Sequence, residues 1–256
     1  MKQLSKKTAT HVLLLATVLS LGACASNDGR QRAESDPWEP LNRGIYKFND
    51  VLDRAILKPV AQGYTWLIPS FARRGVSNFR INLTTPRSAV NNFLQGKPKQ
   101  GLSDVTRFLF NSTIGIAGLI DVASAGGLEV YDEDFGQTLA VWGVPDGPYV
   151  YLPLFGPQTL RDALALPLDI LANPVVHYDN TSVRDKLYVL FVIDIRSRFF
   201  LAERLLEDSK DPYLTIRESY LQSRRFKIYD GDPPEDDDFY DDFEDEETDG
   251  AGGGNN

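Results

Sequence analysis

The sequence predicts an all-α fold, and three observations predict it. Apolar residues recur at steps of three or four along most of residues 36–230, the period of helices with one apolar face. Helix start and stop residues punctuate those runs, with Pro, Ser or Thr near the beginnings and Gly or Pro near the ends. No pair of alternating apolar and polar runs is joined by an Asn-Gly or Asp-Gly turn, as a series of β-hairpins would require.

The elements follow in order. Leu41, Ile45, Phe48, Leu52 and Ile56 mark a first amphipathic helix, entered through Asp36-Pro37-Trp38-Glu39-Pro40 and stopped by Pro59. A second helix starts at Ser70 and runs to about Asn82. A third opens after Thr85-Pro86, with Thr85 as N-cap and Gly96 as C-terminal stop. A fourth covers about Pro98 to Ser112 through Leu102, Val105, Phe108 and Leu109. Phe135 to Trp142 and Thr159 to Ala172 fit two more, the latter interrupted or kinked at Pro167. The longest predicted helix spans Ser182 to Glu207, and a last one follows Asp211-Pro212 and ends near Arg225.

Ahead of this body, Lys2, Lys6 and Lys7 precede an apolar run from about Val12 to Leu21, which is too short to span a bilayer. It reads as an export signal, residues 1–23. Leu21-Gly22-Ala23-Cys24 closes it, and Cys24 is the single cysteine of the chain. That arrangement predicts lipidation at Cys24; the alternative is an ordinary secretory signal cut at Ala23 or Ala25, with an idle thiol. Several acyl chains at about 0.8 kcal/mol per buried methylene would make a durable anchor. Residues 24–35 are small and polar, a flexible tether. With no second cysteine, the exported chain has no disulfide framework, and packing must hold it together.

The net charge of −9 is concentrated: Asp230 to Asp249 hold thirteen acidic residues and no Lys or Arg. The body, residues 36–229, is therefore near neutral and lacks the one-sided basic footprint of a nucleic-acid binder. Residues 230–256, acidic and then Gly-rich, are predicted to be a disordered tail that either solubilises the chain or docks a basic partner.

Two segments depart from helical patterning. Thr113 to Leu128 is apolar and Gly-rich with one charge, and fits either a helix hairpin buried in the core or an element half inserted in a lipid leaflet. Trp142 to Pro157 mixes helix breakers with aromatic and apolar side chains, an irregular loop whose side chains seek burial in protein or lipid.

The residues of catalysis are scarce. His11 lies in the signal, so His177 is the one histidine of the mature chain, and its loop context suits a surface or capping role. No Gly-x-Ser-x-Gly elbow, phosphate-binding glycine loop or His/Cys metal cluster is present. Neither a catalytic residue, a metal site nor a cofactor is predicted. The carboxylates Asp104, Asp121, Asp162, Asp169 and Asp185 read as caps and ion-pair partners.

Short motifs run in order along the body: Asp36-Pro37-Trp38-Glu39-Pro40-Leu41-Asn42-Arg43, Gly75-Val76-Ser77-Asn78-Phe79, Asn91 to Gly96, Arg107-Phe108, Asn111 to Gly115, Asp121-Val122-Ala123, Phe135 to Leu139, Gly147-Pro148-Tyr149, Arg161-Asp162 and Ser209 to Tyr213. Together they resemble the MlaA (VacJ) family of outer-membrane phospholipid-transport lipoproteins, over essentially the whole body. The chain departs at Gly143-Val144-Pro145, where a well-known member of the family has a hinge-like Gly-Val-Gly stretch, which weakens the case for a mobile loop there, and its acidic tail lies outside the resemblance.

The resemblance implies a ring-like bundle of amphipathic helices within the inner leaflet of the outer membrane, around a central amphipathic passage. It implies removal of phospholipids misplaced in the outer leaflet, transfer to a periplasmic lipid-binding carrier of the Mla pathway, and association with a trimeric porin. Ala25, in place of Asp, is similar to the signal for sorting to the outer membrane. A conduit for a molecule with a wet head and dry tails needs a polar and an apolar wall, which amphipathic helices supply. Gly126, Gly127, Gly143 and Gly147 are then hinge or passage candidates, with tight turns and C-caps as the alternative. Arg43, Arg107 and Arg161 are candidate phosphate contacts, since a guanidinium fork matches phosphate oxygens, with carboxylate pairing as the alternative. Trp38, Trp66 and Trp142 suit either a lipid interface or the core. The rival functions are a lipid hydrolase, and an envelope lipoprotein that scaffolds porins without conducting lipid.

Overall fold

The computed structural model describes residues 36–234. The signal, Cys24, the tether and the tail beyond Pro234 lie outside the described residues. The described residues divide into two compact units, 36–217 and 218–234.

Helix α1 (Glu39–Leu52) carries Pro40 in its first turn and passes through one π turn, Asp53–Leu57, into α2 (Lys58–Leu67). Pro59 therefore does not stop the first helix; it occupies the first turn of α2. A proline has no N–H for the carbonyl four residues back and crowds it, and a wider π turn relieves both problems. Helix α3 (Ser70–Leu94) is the longest, and it absorbs the two helices predicted on either side of Thr85-Pro86. Thr85 is a buried interior residue, not an N-cap. The hydroxyls of Thr84 and Thr85 donate to the Ile81 carbonyl at 3.0 and 2.9 Å, just where Pro86 thins the backbone ladder. The predicted stop at Gly96 holds. Its φ of +76° lets the Lys97 N–H reach the Asn92 carbonyl and its own N–H reach that of Phe93.

Helix α4 (Pro98–Thr113) matches its prediction and packs along α3. The Gly-rich segment that follows is not a buried hairpin. Ile116 and Ala117 take φ of +53° and +56°, Gly118 follows at +92°, and Ile114, Ile116, Leu119 and Ile120 are exposed. A β-branched residue in the left-handed region is a costly exception. Gly118 is required by contact: a Cβ there would lie 2.5 Å from that of Asn82. The one-turn α5 (Val122–Ala125) and α6 (Phe135–Val141) come next, each capped by an aspartate, Asp121 and Asp134.

The helical class holds, with one two-stranded antiparallel sheet set among the helices. β1 (Tyr149–Leu152) pairs with β2 (Gly156–Thr159), Tyr149 opposite Thr159 and Leu152 opposite Gly156. Its strands are four residues long and set among Pro and Gly, too short to declare an alternating pattern. Helix α7 (Leu160–Leu171) begins at Thr159, whose hydroxyl accepts the Asp162 N–H, and runs unbroken through Pro167. After a 3₁₀ turn, Pro174–His177, the predicted Ser182 to Glu207 helix is split at Phe199 into α8 (Thr181–Arg198) and α9 (Phe200–Glu207). Helix α10 covers Pro212–Ile228.

Candidate functional site

Polar residues outnumber apolar ones among the described buried positions, and large apolar side chains crowd the exposed ones. On α1, Asn42 is buried while Leu41, Phe48 and Val51 are exposed. On α4, Asp104, Arg107 and Asn111 are buried while Leu102, Val105 and Leu109 face outward. On α7, Arg161 and Asp162 are inside and Leu164, Leu168 and Leu171 outside. The amphipathic periods of the sequence are thus inverted relative to a water-soluble bundle.

Three hydrogen-bonded clusters hold this polar interior. The first joins the two ends of the body. Asp36, with 0% exposure, accepts from Asn42 at 2.8 Å, from the Tyr213 hydroxyl at 2.5 Å and from Arg217 at 3.3 Å. Burial first, then the Asp36 hydrogen bond, raises the Tyr213 pKa. Asn42 also clamps β1: its amide donates to the Tyr149 carbonyl at 3.0 Å and accepts the Tyr151 N–H at 2.9 Å. Seven residues on, Asn49 repeats the contact with the Leu152 carbonyl and the Leu154 N–H, both at 3.0 Å. Two asparagines on one face of α1 therefore take the place of a third strand. Tyr46, Tyr149, Tyr151 and Tyr213 fill the space between with ring contacts of 5.7–6.5 Å.

The second cluster joins α3 to α4. Asp104 accepts from Ser88 at 2.7 Å and Asn92 at 2.9 Å, and burial pushes its carboxyl up to about 6. Nearby, Gln95 donates to Glu133 at 2.8 Å and Thr138 donates to Asn91 at 2.7 Å. The third pins the Gly-rich segment. Arg107 donates to both oxygens of Asp121 at 3.0 Å and also to Ser124 and the Leu128 carbonyl. Burial alone would raise the Asp121 carboxyl, but hydrogen bonds from Ser124 and Asn111 and the Arg107 charge hold it below its ordinary value.

The predicted phosphate contacts fall within such pairs. Arg43 grips Asp211 with two bonds of 3.1 and 2.7 Å and Glu39 with a third at 2.6 Å. Arg107 is held by Asp121, and Arg161 by Asp146, Asp162 and the Val144 carbonyl. A lipid phosphate would have to displace an aspartate at each. Gly126 and Gly127 end α5, with the Leu128 N–H closing on the Ala123 carbonyl; Gly143 ends α6 in the same way, with Val144 closing on Leu139. Gly147 lies in the turn before β1, against Leu160. Trp38, Trp66 and Trp142 are all exposed, Trp66 at 84%. His177 caps the end of α7, its Nε2 2.7 Å from the Leu171 carbonyl. The described residues contain no group of His, Cys, Asp and Glu able to hold a metal.

The clamps Asn42 and Asn49 and the buried anions Asp36, Asp104 and Asp194 were not predicted as site residues. For Asp104 the signal was position: it falls away from the apolar stripe of Leu102, Val105 and Leu109, on a side that a soluble protein would turn to water, whereas Asp36 lies ahead of α1 and Asp194 shares a face of α8 with the buried Phe191.

No described helix is long and apolar enough to cross a membrane. A shallow apolar groove of about 340 Å³ runs beside α1, lined by Pro40, Leu41, Gly44, Ile45, Phe48 and Pro153.

The family model of the MlaA lipoprotein matches residues 34–227. The intermembrane phospholipid transport system lipoprotein MlaA of Shigella flexneri is 40% identical over 230 residues, 88% of this chain and 91% of the relative. Its namesake in Escherichia coli K12 is 39% identical over the same shares, and that of Haemophilus influenzae 33% over 88% and 92%. A solved chain from work on the structural basis for maintenance of bacterial outer membrane lipid asymmetry superposes with a TM-score of 0.68 at 40% identity, covering 76% of this chain and 100% of its own. With its body matched end to end in sequence and in fold, this chain belongs to the MlaA lipoprotein family.

Proposed function

We propose that this protein is an outer-membrane lipoprotein that removes misplaced phospholipids from the outer leaflet and passes them to a periplasmic lipid carrier, so maintaining lipid asymmetry. The observation that carries the reading is the inverted distribution of side chains, in a family whose members are named for intermembrane phospholipid transport. Each large apolar side chain moved from water to lipid gains roughly 1.5–3 kcal/mol, so an outward belt of Leu, Ile, Phe and Trp favours immersion among acyl tails. Since no described helix is long and apolar enough to span, immersion in one leaflet with a Cys24 anchor suits the chain. The polar interior supplies the wet wall that a headgroup needs while its tails stay in contact with apolar surface. Gly126, Gly127, Gly143 and Gly147 mark the places where the walls of such a passage can bend. Conduction needs no nucleotide here; the gradient and capture by the carrier set direction. A trimeric porin is the neighbour that would hold the protein in the outer membrane, and the chain is not an enzyme in this scheme.

The test is the outer-leaflet phospholipid content of cells with the gene intact, deleted, or carrying Cys24→Ala. Deletion is expected to raise surface phospholipid, and Cys24→Ala is expected not to correct it. An unchanged outer leaflet on deletion rejects transport and favours a porin scaffold.

A further inference from the structure

Most buried or half-buried cations of the body have an anion against them. Arg107 meets Asp121, and Arg43, Arg161 and Arg196 each meet two carboxylates. Arg73 and Arg80 break this rule. Both are half-buried on α3, both bury an Nε without a partner, and neither side chain makes a hydrogen bond or ion pair among the described residues. They stand seven residues apart, two turns along the same face of the helix, roughly 10 Å in rise.

The groups facing them leave the charge unbalanced. α8 packs against α2 and α3 and brings in one buried anion, Asp194, already engaged by the Tyr64 hydroxyl at 3.2 Å and by Arg198 at 3.2 Å. Arg73 and Arg198 both bear on Tyr64, and Arg198 and Asp194 both bear on Arg80. Only Arg198 pairs with Asp194; Arg73 and Arg80 have no carboxylate within ion-pair distance among the described residues. Burial first, with the repulsion of Arg198 and Arg87, lowers the Arg80 pKa despite the attraction of Asp194 and Asp132. Half-buried cations in excess of their anions are costly unless something negative joins them. Farther along the same face, Arg87 also buries an unpartnered Nε, but its terminal nitrogens lie 3.4 Å from Asp132 and 3.8 Å from Asp169, so it carries counter-ions that Arg73 and Arg80 lack.

The surroundings specify the kind of anion. Trp66, Leu67 and Phe71 lead into Arg73, and Phe199 and Leu201 follow Arg198, all of them exposed. A cationic cluster rimmed by outward apolar side chains fits a ligand with one anionic group and long apolar tails. Guanidinium forks match phosphate oxygens in particular.

We propose that Arg73 and Arg80 of α3, with Arg198 of α8, form a binding site for the phosphate group of a phospholipid in transit. The proposal rests on the transport reading above and assigns its headgroup contact to cations other than the carboxylate-bound Arg43, Arg107 and Arg161.

The test uses the full lipoprotein in maltoside detergent, titrated with dihexanoyl phosphatidylglycerol, with the matching diglyceride and with inorganic phosphate. Arg73→Gln/Arg80→Gln is expected to weaken binding of the phosphatidylglycerol tenfold or more and to leave the diglyceride unchanged. Arg74→Gln, an exposed neighbour, is the control. Thermal melting separates ligand binding from scaffolding: removing unpaired cations should hold or raise the midpoint, whereas loss of a structural contact would lower it. Should the double variant fail to purify, Arg80→Gln and the charge-preserving Arg80→Lys are compared, the lysine expected to bind more tightly. Unchanged phosphatidylglycerol affinity in the variants overturns the proposal. Inorganic phosphate binding as tightly as the lipid, and lost in the same variants, overturns the lipid assignment in favour of a free anion. The transport reading is judged separately, since the outer-leaflet assay on the deletion strain can succeed when this site fails.

Discussion

Asn42 shows how much of this body depends on single polar side chains. It satisfies a carboxylate, a backbone carbonyl and a backbone N–H at once, all of them buried. Asn42→Ala should orphan each, and at about 1–3 kcal/mol per stranded group partial relaxation leaves a loss of about 2–4 kcal/mol, read by thermal denaturation in detergent. Asp104 offers a pH test. Its carboxyl, raised by burial to about 6, binds a proton more tightly folded than unfolded. Stability from this group is therefore greatest below the unfolded value near 4 and declines as pH rises towards 6. The depressed carboxylates Asp121, Glu203 and Asp211 act oppositely, losing stabilisation only as pH falls below about 4. Melting midpoints should thus fall between pH 4.5 and 6.5, and Asp104→Asn should flatten that interval. A slope unchanged in the variant would show that another group carries the proton.

At the scale of elements, α4 states the inversion most plainly, with Asp104, Arg107 and Asn111 on one side and Leu102, Val105 and Leu109 on the other. Leu102→Gln/Leu109→Gln should change stability in detergent by no more than about 0.5 kcal/mol, as surface substitutions do. The same pair should weaken association with lipid vesicles measurably. Asn111→Leu, conservative by the habits of a soluble core, should destabilise by about 2 kcal/mol or more, because the buried Ala123 N–H loses its partner and Asp121 loses one of its donors. Urea denaturation of the three forms in one detergent distinguishes the two faces. The outward stripes of α1, α4 and α7 share this logic, and so do the exposed isoleucines of the left-handed turn after α4.

For the whole molecule, the inward polar clusters and the outward apolar belt are one property. Water is a poor solvent for such a surface, and a lipid leaflet a good one. A chain beginning at Asp36, and so lacking Cys24, should still float with vesicles of phosphatidylethanolamine and phosphatidylglycerol in a density gradient. Persistence of all the protein in the lipid-free fraction would show that attachment depends on the acyl anchor alone. The local cation excess at Arg73 and Arg80 is what gives this apolar body a reason to seek an anionic amphiphile.

The sequence by itself determined the helical class, the acidic composition of the tail, and the boundaries of α4 and the end of α3 at Gly96, because period and capping chemistry are local; the export signal over residues 1–23 remains its expectation. It also carried the family resemblance, through motifs such as Asp36 to Arg43. Only the tertiary structure decided which face of each amphipathic helix is the inside, since periodicity fixes that two faces exist and not which solvent each meets. It alone joined Asp36 to Tyr213 and Arg217, some 180 residues away, and set Asn42 and Asn49 against β1. It gave Arg43, Arg107 and Arg161 their aspartates and left Arg73 and Arg80 without any, because the balance of a buried charge depends on neighbours that sequence distance does not reveal.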